Sequence, residues 1–286
     1  MPELPEVETI VNDLREEIIN KKIIKIDIRL KKIVKNKTNV FCDALIGKSF
    51  SEIIRRGKYI FFKINNSKEY LMVHLRMTGQ LIYQKEDKII AGGHSDKKNI
   101  LNLPNEQSHL IIYFKNNARL FYNDQRQFGI VQIIDETEFN IINKRQGIEP
   151  LDPKFTFKQF EKIIQNKKKN IKAFLLDQKL VTGIGNIYTD EILFDASINP
   201  HRNTRDLNMK EKQKIYLAIK KILKKAIKYR GTTFNDYRDA QGNQGNFLNK
   251  LKIYGRDGEK CLRCGNTILK TKLAGRGTRY CEGCQK

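Results

Sequence analysis

Apolar residues between positions 5 and 20 recur at helical spacing. Val7, Ile10, Val11, Leu14 and Ile18 fall on one face. That pattern predicts an amphipathic helix that anchors the chain's start against a core. From about residue 22 to 134 the period shortens. Short runs rich in β-branched and aromatic residues recur at Lys22–Leu30, Tyr59–Ile64, Tyr70–Leu75, Leu81–Gln84, Leu110–Phe114, Leu120–Tyr122 and Ile130–Ile134. The stretches 65–67 and 116–117 read as hairpin turns, and a helix over about 38–46 stops at Gly47. This half reads as a β-sandwich or flattened barrel.

The stretch 135–155, with Gly147, Pro150 and Pro153, reads as a linker. Beyond it the period is helical. Thr156 is a candidate N-cap for a helix carrying Phe157, Phe160, Ile163 and Ile164 on one face. Further helices are expected over 171–179, 187–195 and 208–230, the last with Ile215, Ala218, Ile219, Ile222, Leu223 and Ala226 as its buried stripe. A long polar loop follows at 231–255, a length more often functional than decorative. The expected class is α+β. The expected divisions are a sandwich at 1–134, a hinge at 135–153, a helical domain at 154–254 and a finger at 255–286.

Charge narrows the partner. The chain of 286 residues carries a formal net charge of +23. Such a balance points to a polyanion, nucleic acid ahead of an anionic membrane surface. No apolar run approaches the ~20 residues of a membrane span. The start shows no secretory pattern, so a cytoplasmic protein is expected.

Cys261-x2-Cys264 and Cys281-x2-Cys284 form two tight pairs. Two such knuckles supply the four thiolates of a structural zinc site, with a hairpin between them turning at residues 274–277. Arg276 at that turn is either solvated or directed at phosphates. Cys42 reads as an inert buried thiol.

The turn Gly183-Ile184-Gly185-Asn186 is a plain turn or an anion cradle at a helix start. Nearby Lys167–Lys169, Lys172 and Lys179 favour phosphate. In Asp124-Gln125-Arg126-Gln127-Phe128-Gly129, Phe128 is either core or, with Arg126, an exposed pair suited to entering a base stack. Met77, after His74-Leu75-Arg76, is core filler or a wedge. Lys58, taken alone, is a solvated lysine. The opening Met1-Pro2-Glu3-Leu4-Pro5-Glu6 is a helix start. Alternatively, once Met1 is trimmed, it is a nucleophilic secondary amine beside a carboxylate.

Together these segments resemble the formamidopyrimidine-DNA glycosylase family. The matching stretches are Pro-Glu-Leu-Pro-Glu-Val-Glu-Thr (2–9), Arg56-Gly57-Lys58-Tyr59, His74-Leu75-x-Met77-x-Gly79 and Asp124-x-Arg126-x-Phe128-Gly129. They continue with Gly185-Asn186-Ile187-Tyr188, Tyr254-Gly255-Arg256 and the four cysteines. The resemblance implies an N-terminal β-sandwich, a hinge, a helical domain with a helix-two-turn-helix, and a zinc finger. It implies excision of oxidised purines from double-stranded DNA, AP-lyase cleavage, one structural Zn2+, no membrane partner, and a bacterial monomer working on the nucleoid. Pro2 then attacks C1′ of the damaged nucleotide and Glu3 handles protons at the sugar. Lys58 assists β-elimination, and Arg276 serves the second elimination and phosphate contact. Arg126, Lys167 and Asn186 match DNA-contacting positions. Met77, Arg126 and Phe128 fill the hole left by the everted nucleotide, while Glu6 and His74 support the site. The loop near 232–250 closes over the everted base.

Gln107 stands where relatives often carry a DNA-contacting His, so that contact loses charge. Gln125 and Gln127 replace Pro and Arg, which is expected to loosen the turn. The close rival is an endonuclease VIII-like enzyme for oxidised pyrimidines. The distant one is a non-catalytic zinc protein that binds nucleic acid, which leaves Pro2-Glu3 unexplained.

Overall fold

The computed structural model describes residues 1–92, 102–165, 167–232 and 247–286. The chain forms two compact units, Met1–Lys144 with Tyr229–Leu248, and Arg145–Lys228 with Asn249–Lys286.

In the first unit α1 spans Leu4–Ile18. Glu3 is its N-cap, and the Glu3 N–H donates to Glu6 Oε2 at 2.9 Å, closing a capping box. Pro5 sits where a missing N–H costs nothing. The apolar stripe is buried as its spacing predicts. Each of those aliphatic side chains contributes about 1.5–3 kcal/mol through burial.

Among the described residues nine strands follow: β1 Ile23–Ile28, β2 Phe50–Arg56, β3 Tyr59–Ile64, β4 Glu69–His74, β5 Gly79–Lys85, β6 Lys88–Gly92, β7 Ser108–Phe114, β8 Arg119–Asp124 and β9 Ile130–Asp135. The helix α2, Thr38–Leu45, lies between β1 and β2. Pairing is antiparallel throughout, in sheets ordered β2-β3-β4-β9 and β1-β7-β8-β5-β6. One core joins α1 to the inner faces of both sheets, through Val7, Val11, Phe62, Val73, Leu110 and Leu120. The sandwich expectation holds. Asn66 and Asn117 turn the β3–β4 and β7–β8 hairpins with φ of 54° and 61°. Asn tolerates that left-handed conformation.

β2 and β6 are absent from the runs that the sequence marks as strands. β2 mixes its faces, and β6 is short. The stretch expected as a hinge opens with a helix, α3, at Glu136–Arg145. Asp135 Oδ1 accepts from the Glu138 N–H at 2.7 Å. Phe139 stacks on Tyr70 with ring centroids 4.5 Å apart and meets Phe61 edge-on at 4.9 Å. No long apolar stripe announces this helix, since it covers the outer face of a sheet with few apolar residues.

The second unit contains α4 Phe157–Gln165, α5 Ile171–Leu176, α6 Asn186–Ala196 and α7 Met209–Lys228. The hairpin β10 Leu269–Leu273 and β11 Arg276–Tyr280 completes it. The buried stripe of α7 is the one its spacing predicts. Within the stretch expected as a helical domain, 154–254, the part Tyr229–Leu248 groups with the first unit. Most of the loop near 232–250, expected to close over the everted base, lies outside the described residues. No helix among the described residues is long and apolar enough to cross a membrane.

Candidate functional site

Pro2 precedes α1 and is buried, as are Glu3 and Glu6. Lys58 follows Gly57, which turns β2 into β3 at φ 58°. It is only 8% exposed, so it is not the solvated lysine its sequence context suggests. Burial lowers the Met1 amine, one residue ahead of Pro2, below its ordinary value of 8.0; Glu3 and Glu6 oppose that shift, and Lys58 and Arg126 add to it. Those groups therefore share one field at the start of α1.

Glu6 does more than close the capping box. Its Oε1 accepts from the Thr232 N–H at 2.8 Å and from the Thr232 hydroxyl at 3.1 Å. Gly231, at φ +81°, lies so close that a Cβ there would fall 2.6 Å from Glu6 Oε1. Arg230 pairs with Asp13, further along α1. No sequence spacing announces this clasp between positions more than two hundred residues apart.

His74 ends β4 edge-on to Tyr59, ring centroids 4.5 Å apart. Its Nδ1 accepts from the Arg76 N–H at 3.0 Å. Burial, with Arg76 and Lys58 nearby, lowers its pKa to about 3. The folded state therefore holds the neutral ring, and the unfolded chain takes up a proton first as pH falls. Stability from this group is complete above about pH 6.5 and is lost as pH drops toward about 3. His74→Asn, which keeps an acceptor near Nδ1, is expected to flatten the pH dependence of denaturant-derived unfolding free energy by up to about 1.4 kcal/mol per pH unit in that window.

Met77 is half-buried at the turn after β4. Arg126 is exposed and Phe128 is 59% exposed, which removes the core reading of Phe128. Gln127, at φ 57°, donates its N–H to Asp124 O at 3.2 Å and accepts from Lys32 Nζ at 3.1 Å. Gln107 is half-buried, with its N–H given to Asn105 Oδ1.

In the second unit the four cysteine sulfurs lie within 4.8 Å of one another. Cys261 to Cys284 is 3.8 Å and Cys264 to Cys281 is 3.4 Å. A tetrahedral ion with ~2.3 Å bonds to sulfur needs edges of about 3.8 Å. The donor set therefore fits a four-coordinate thiophilic metal. Gly283 makes room for it: a Cβ there would meet Cys264 Sγ at 2.9 Å. Arg276 is exposed at the start of β11, after the left-handed pair Ala274 and Gly275.

Known proteins match this arrangement along its whole length. Residues 1–131 match the formamidopyrimidine-DNA glycosylase N-terminal domain, 146–238 its H2TH domain, and 258–286 a zinc finger found in FPG and IleRS. A formamidopyrimidine-DNA glycosylase of Carboxydothermus hydrogenoformans is 40% identical over 100% of both chains. The chain belongs to the formamidopyrimidine-DNA glycosylase family. Another member, from Listeria innocua, is 37% identical, again over 100% of both chains. The Lactococcus lactis Fpg, solved in complex with an abasic site containing DNA, superposes with a TM-score of 0.86 at 36% identity and 99% coverage of both chains.

Within this family framework some sequence expectations change. Lys172 is not a phosphate ligand. It is fully buried, with Nζ 2.6 Å from Asp190 Oδ1 and 3.3 Å from Gly277 O. Gly183 spends its N–H on Gln178 Oε1 at 2.9 Å, so that amide is not open to an anion. Lys169 pairs with Asp177. Lys167 remains half-exposed and Lys179 exposed. Asn186 donates Nδ2 to Gly277 O at 3.0 Å, while its Oδ1 is buried without an acceptor role among the described residues.

Sequence reading missed Asp190 and Glu191, which fix the finger to α6. Asp190 Oδ2 accepts from the Arg279 N–H at 3.0 Å, and Glu191 accepts from the N–H groups of Lys252, Ile253 and Tyr254. Burial pushes the Asp190 carboxyl up to about 6 despite Lys172. Two adjacent acids on a helix without apolar periodicity were the available signal. Lys172→Met strands that carboxyl and is expected to cost about 3–5 kcal/mol in chemical unfolding. The double variant with Asp190→Asn should recover part of it.

Proposed function

We propose that this chain is a base-excision DNA glycosylase with AP-lyase activity, acting on oxidised purines, 8-oxoguanine and formamidopyrimidines, in duplex DNA. One observation carries the reading: Pro2 and Glu3 are buried at the start of α1, where Glu3, Glu6, Lys58 and Arg126 all act on the chain terminus. A DNA-binding module with no chemistry to perform has no use for two carboxylates and a buried lysine gathered at its terminus.

Removal of Met1 makes Pro2 the N-terminal secondary amine. Its nitrogen forms a bond to C1′ of an everted nucleotide as the bond to the base breaks, and the base leaves with a proton. The sugar ring opens to an iminium, and loss of a proton from C2′ expels the 3′ phosphate. Glu3, beside the nitrogen, is the carboxylate for the sugar's proton transfers. Lys58, buried nearby, offers a cation and a proton to the eliminating sugar. Eversion is needed because the duplex shields the reacting carbon. Met77, Arg126 and Phe128 fill the void, and Gln107, Lys167, Asn186 and Arg276 hold phosphates. The metal in the finger is zinc and structural, since all four ligands are protein sulfurs. The cytoplasm is the expected place of work.

The test is borohydride trapping. Protein lacking Met1 is incubated with a duplex carrying 8-oxoguanine opposite cytosine and reduced. A covalent adduct at Pro2 is expected, and none forming would overturn the mechanism. A parallel duplex with an oxidised pyrimidine decides the substrate. A Lactococcus lactis FPG, 36% identical, is solved with DNA containing an oxidised pyrimidine, so the purine preference needs that second arm. Faster trapping on the pyrimidine duplex would transfer the chain to the rival specificity.

A further inference from the structure

Asp124 closes β8 and is fully buried. Its Oδ1 accepts from the Thr78 hydroxyl at 2.5 Å, and its Oδ2 from the Gly129 N–H at 2.7 Å and the Tyr122 hydroxyl at 3.5 Å. Its backbone is used as fully. The Asp124 N–H donates to Gln107 O at 3.1 Å, and its carbonyl accepts from His109 Nε2 at 2.8 Å and from the Gln127 N–H. The Thr78 hydroxyl, besides donating to Asp124, accepts from the Arg126 N–H at 2.9 Å. A chain of donors therefore runs from the Arg126 turn through Thr78 to Asp124, and back to the same turn at Gly129.

Packing presses the same two turns together. A Cβ on Gly129 would fall 1.5 Å from the Tyr122 hydroxyl oxygen, and one on Gly79 would fall 2.6 Å from it. Glycine is required at both by contact. Each turn rests on one tyrosine oxygen, whose proton burial and the Asp124 charge make harder to remove.

We propose that Asp124 and Thr78 are positioning residues that lock the Met77 turn to the Arg126–Phe128 turn, so that the three side chains enter a duplex as one rigid wedge. The inference rests on the assignment of those side chains to the void left by an everted nucleotide. Unstacking a base step costs a few kcal/mol. A wedge ordered beforehand adds no further cost of immobilising its own side chains, whereas two turns moving independently do. Thr78 must accept and donate at once, which among small side chains of its shape only a hydroxyl does. Asn at 124 offers one acceptor oxygen where a carboxylate offers two.

The experiment compares full-length wild type with Thr78→Val, Thr78→Ser, Asp124→Asn and Met77→Ala. Borohydride trapping rates are measured on one abasic site placed in a duplex and in the single strand, where no stack needs invading. A 2-aminopurine beside the site in the duplex reports unstacking. Thr78→Val and Asp124→Asn are expected to lower the ratio of duplex to single-strand rate on the order of 10-fold and to slow the fluorescence rise. Thr78→Ser is expected to restore both. Equal losses on the two substrates would overturn the lock in favour of a merely structural role, and so would an unchanged Thr78→Val ratio. If Asp124→Asn does not fold, Thr78→Val and its Ser rescue decide alone. A silent Met77→Ala would instead sink the void-filling assignment, while a Met77 effect with a silent Thr78→Val sinks only the lock.

Discussion

Protein that keeps any residue ahead of Pro2 is expected to form no borohydride-trapped adduct and to lose strand cleavage by on the order of 10⁴-fold or more, as when a nucleophile is removed. The reason is electronic. In Met1-Pro2 the proline nitrogen is part of a peptide bond, its lone pair is delocalised into the carbonyl, and it cannot attack carbon. A free amine on the added residue does not replace it, since that nitrogen is displaced from the Pro2 position. The phosphate contacts proposed for Arg126, Lys167, Asn186 and Arg276 do not involve the terminus. Binding to undamaged duplex, measured by anisotropy, should therefore change little. Trapping by a blocked terminus would move the nucleophile elsewhere, with Lys58, buried in the same field, the first candidate.

Metal removal should give the second large effect. Four thiolates within 4.8 Å repel one another unless a cation or protons neutralise them. Binding of a structural ion to such a set is worth on the order of 10–16 kcal/mol in small fingers. Cys281 is fully buried against Phe194, Ile253 and Ile268, so the site is also part of a core. Cys281→Ser, or a strong chelator, is expected to unfold the β10–β11 hairpin and abolish DNA cleavage. Native-state hydrogen exchange should show lost protection over residues 258–286, with the strands of the first unit unaffected. One zinc per chain by elemental analysis before treatment, and none after, completes the measurement. Retained protection without metal would mean that the ion is dispensable to the fold.

Several parts of this picture lie on the surface of the sequence because they are local. The 3.6-residue stripes of α1 and α7 predict their buried faces. The CxxC pairs announce a metal because each knuckle is a four-residue turn. The apolar, β-branched and aromatic runs between Tyr59 and Ile134 place β3, β4, β5, β7, β8 and β9 within a residue or two, while β6 carries no such run. α3 was hidden because its packing partners are the outer-face aromatics Phe61 and Tyr70, and those sit far back in the chain. Lys172 looked like one more surface cation because composition cannot distinguish a solvated lysine from one neutralised by Asp190. Phe128 illustrates the opposite case. An aromatic in a polar turn reads equally as core or as an exposed wedge, and only the fold leaves it in solvent.

By itself, then, the sequence determined the elements, the metal-binding knuckles, the basic character and the residue types at the N-terminal end. Those are consequences of short-range periodicity and of chemistry carried by neighbouring residues. Only the tertiary structure decided how that chemistry is held. It placed Lys58 in the field of the terminal amine, gave Glu6 both Glu3 and Thr232 to hold, and made Asp124 the shared anchor of two turns. Each of those depends on hydrogen bonds or charges between residues distant in the chain. No local pattern encodes such pairings, because they exist only once the core has formed.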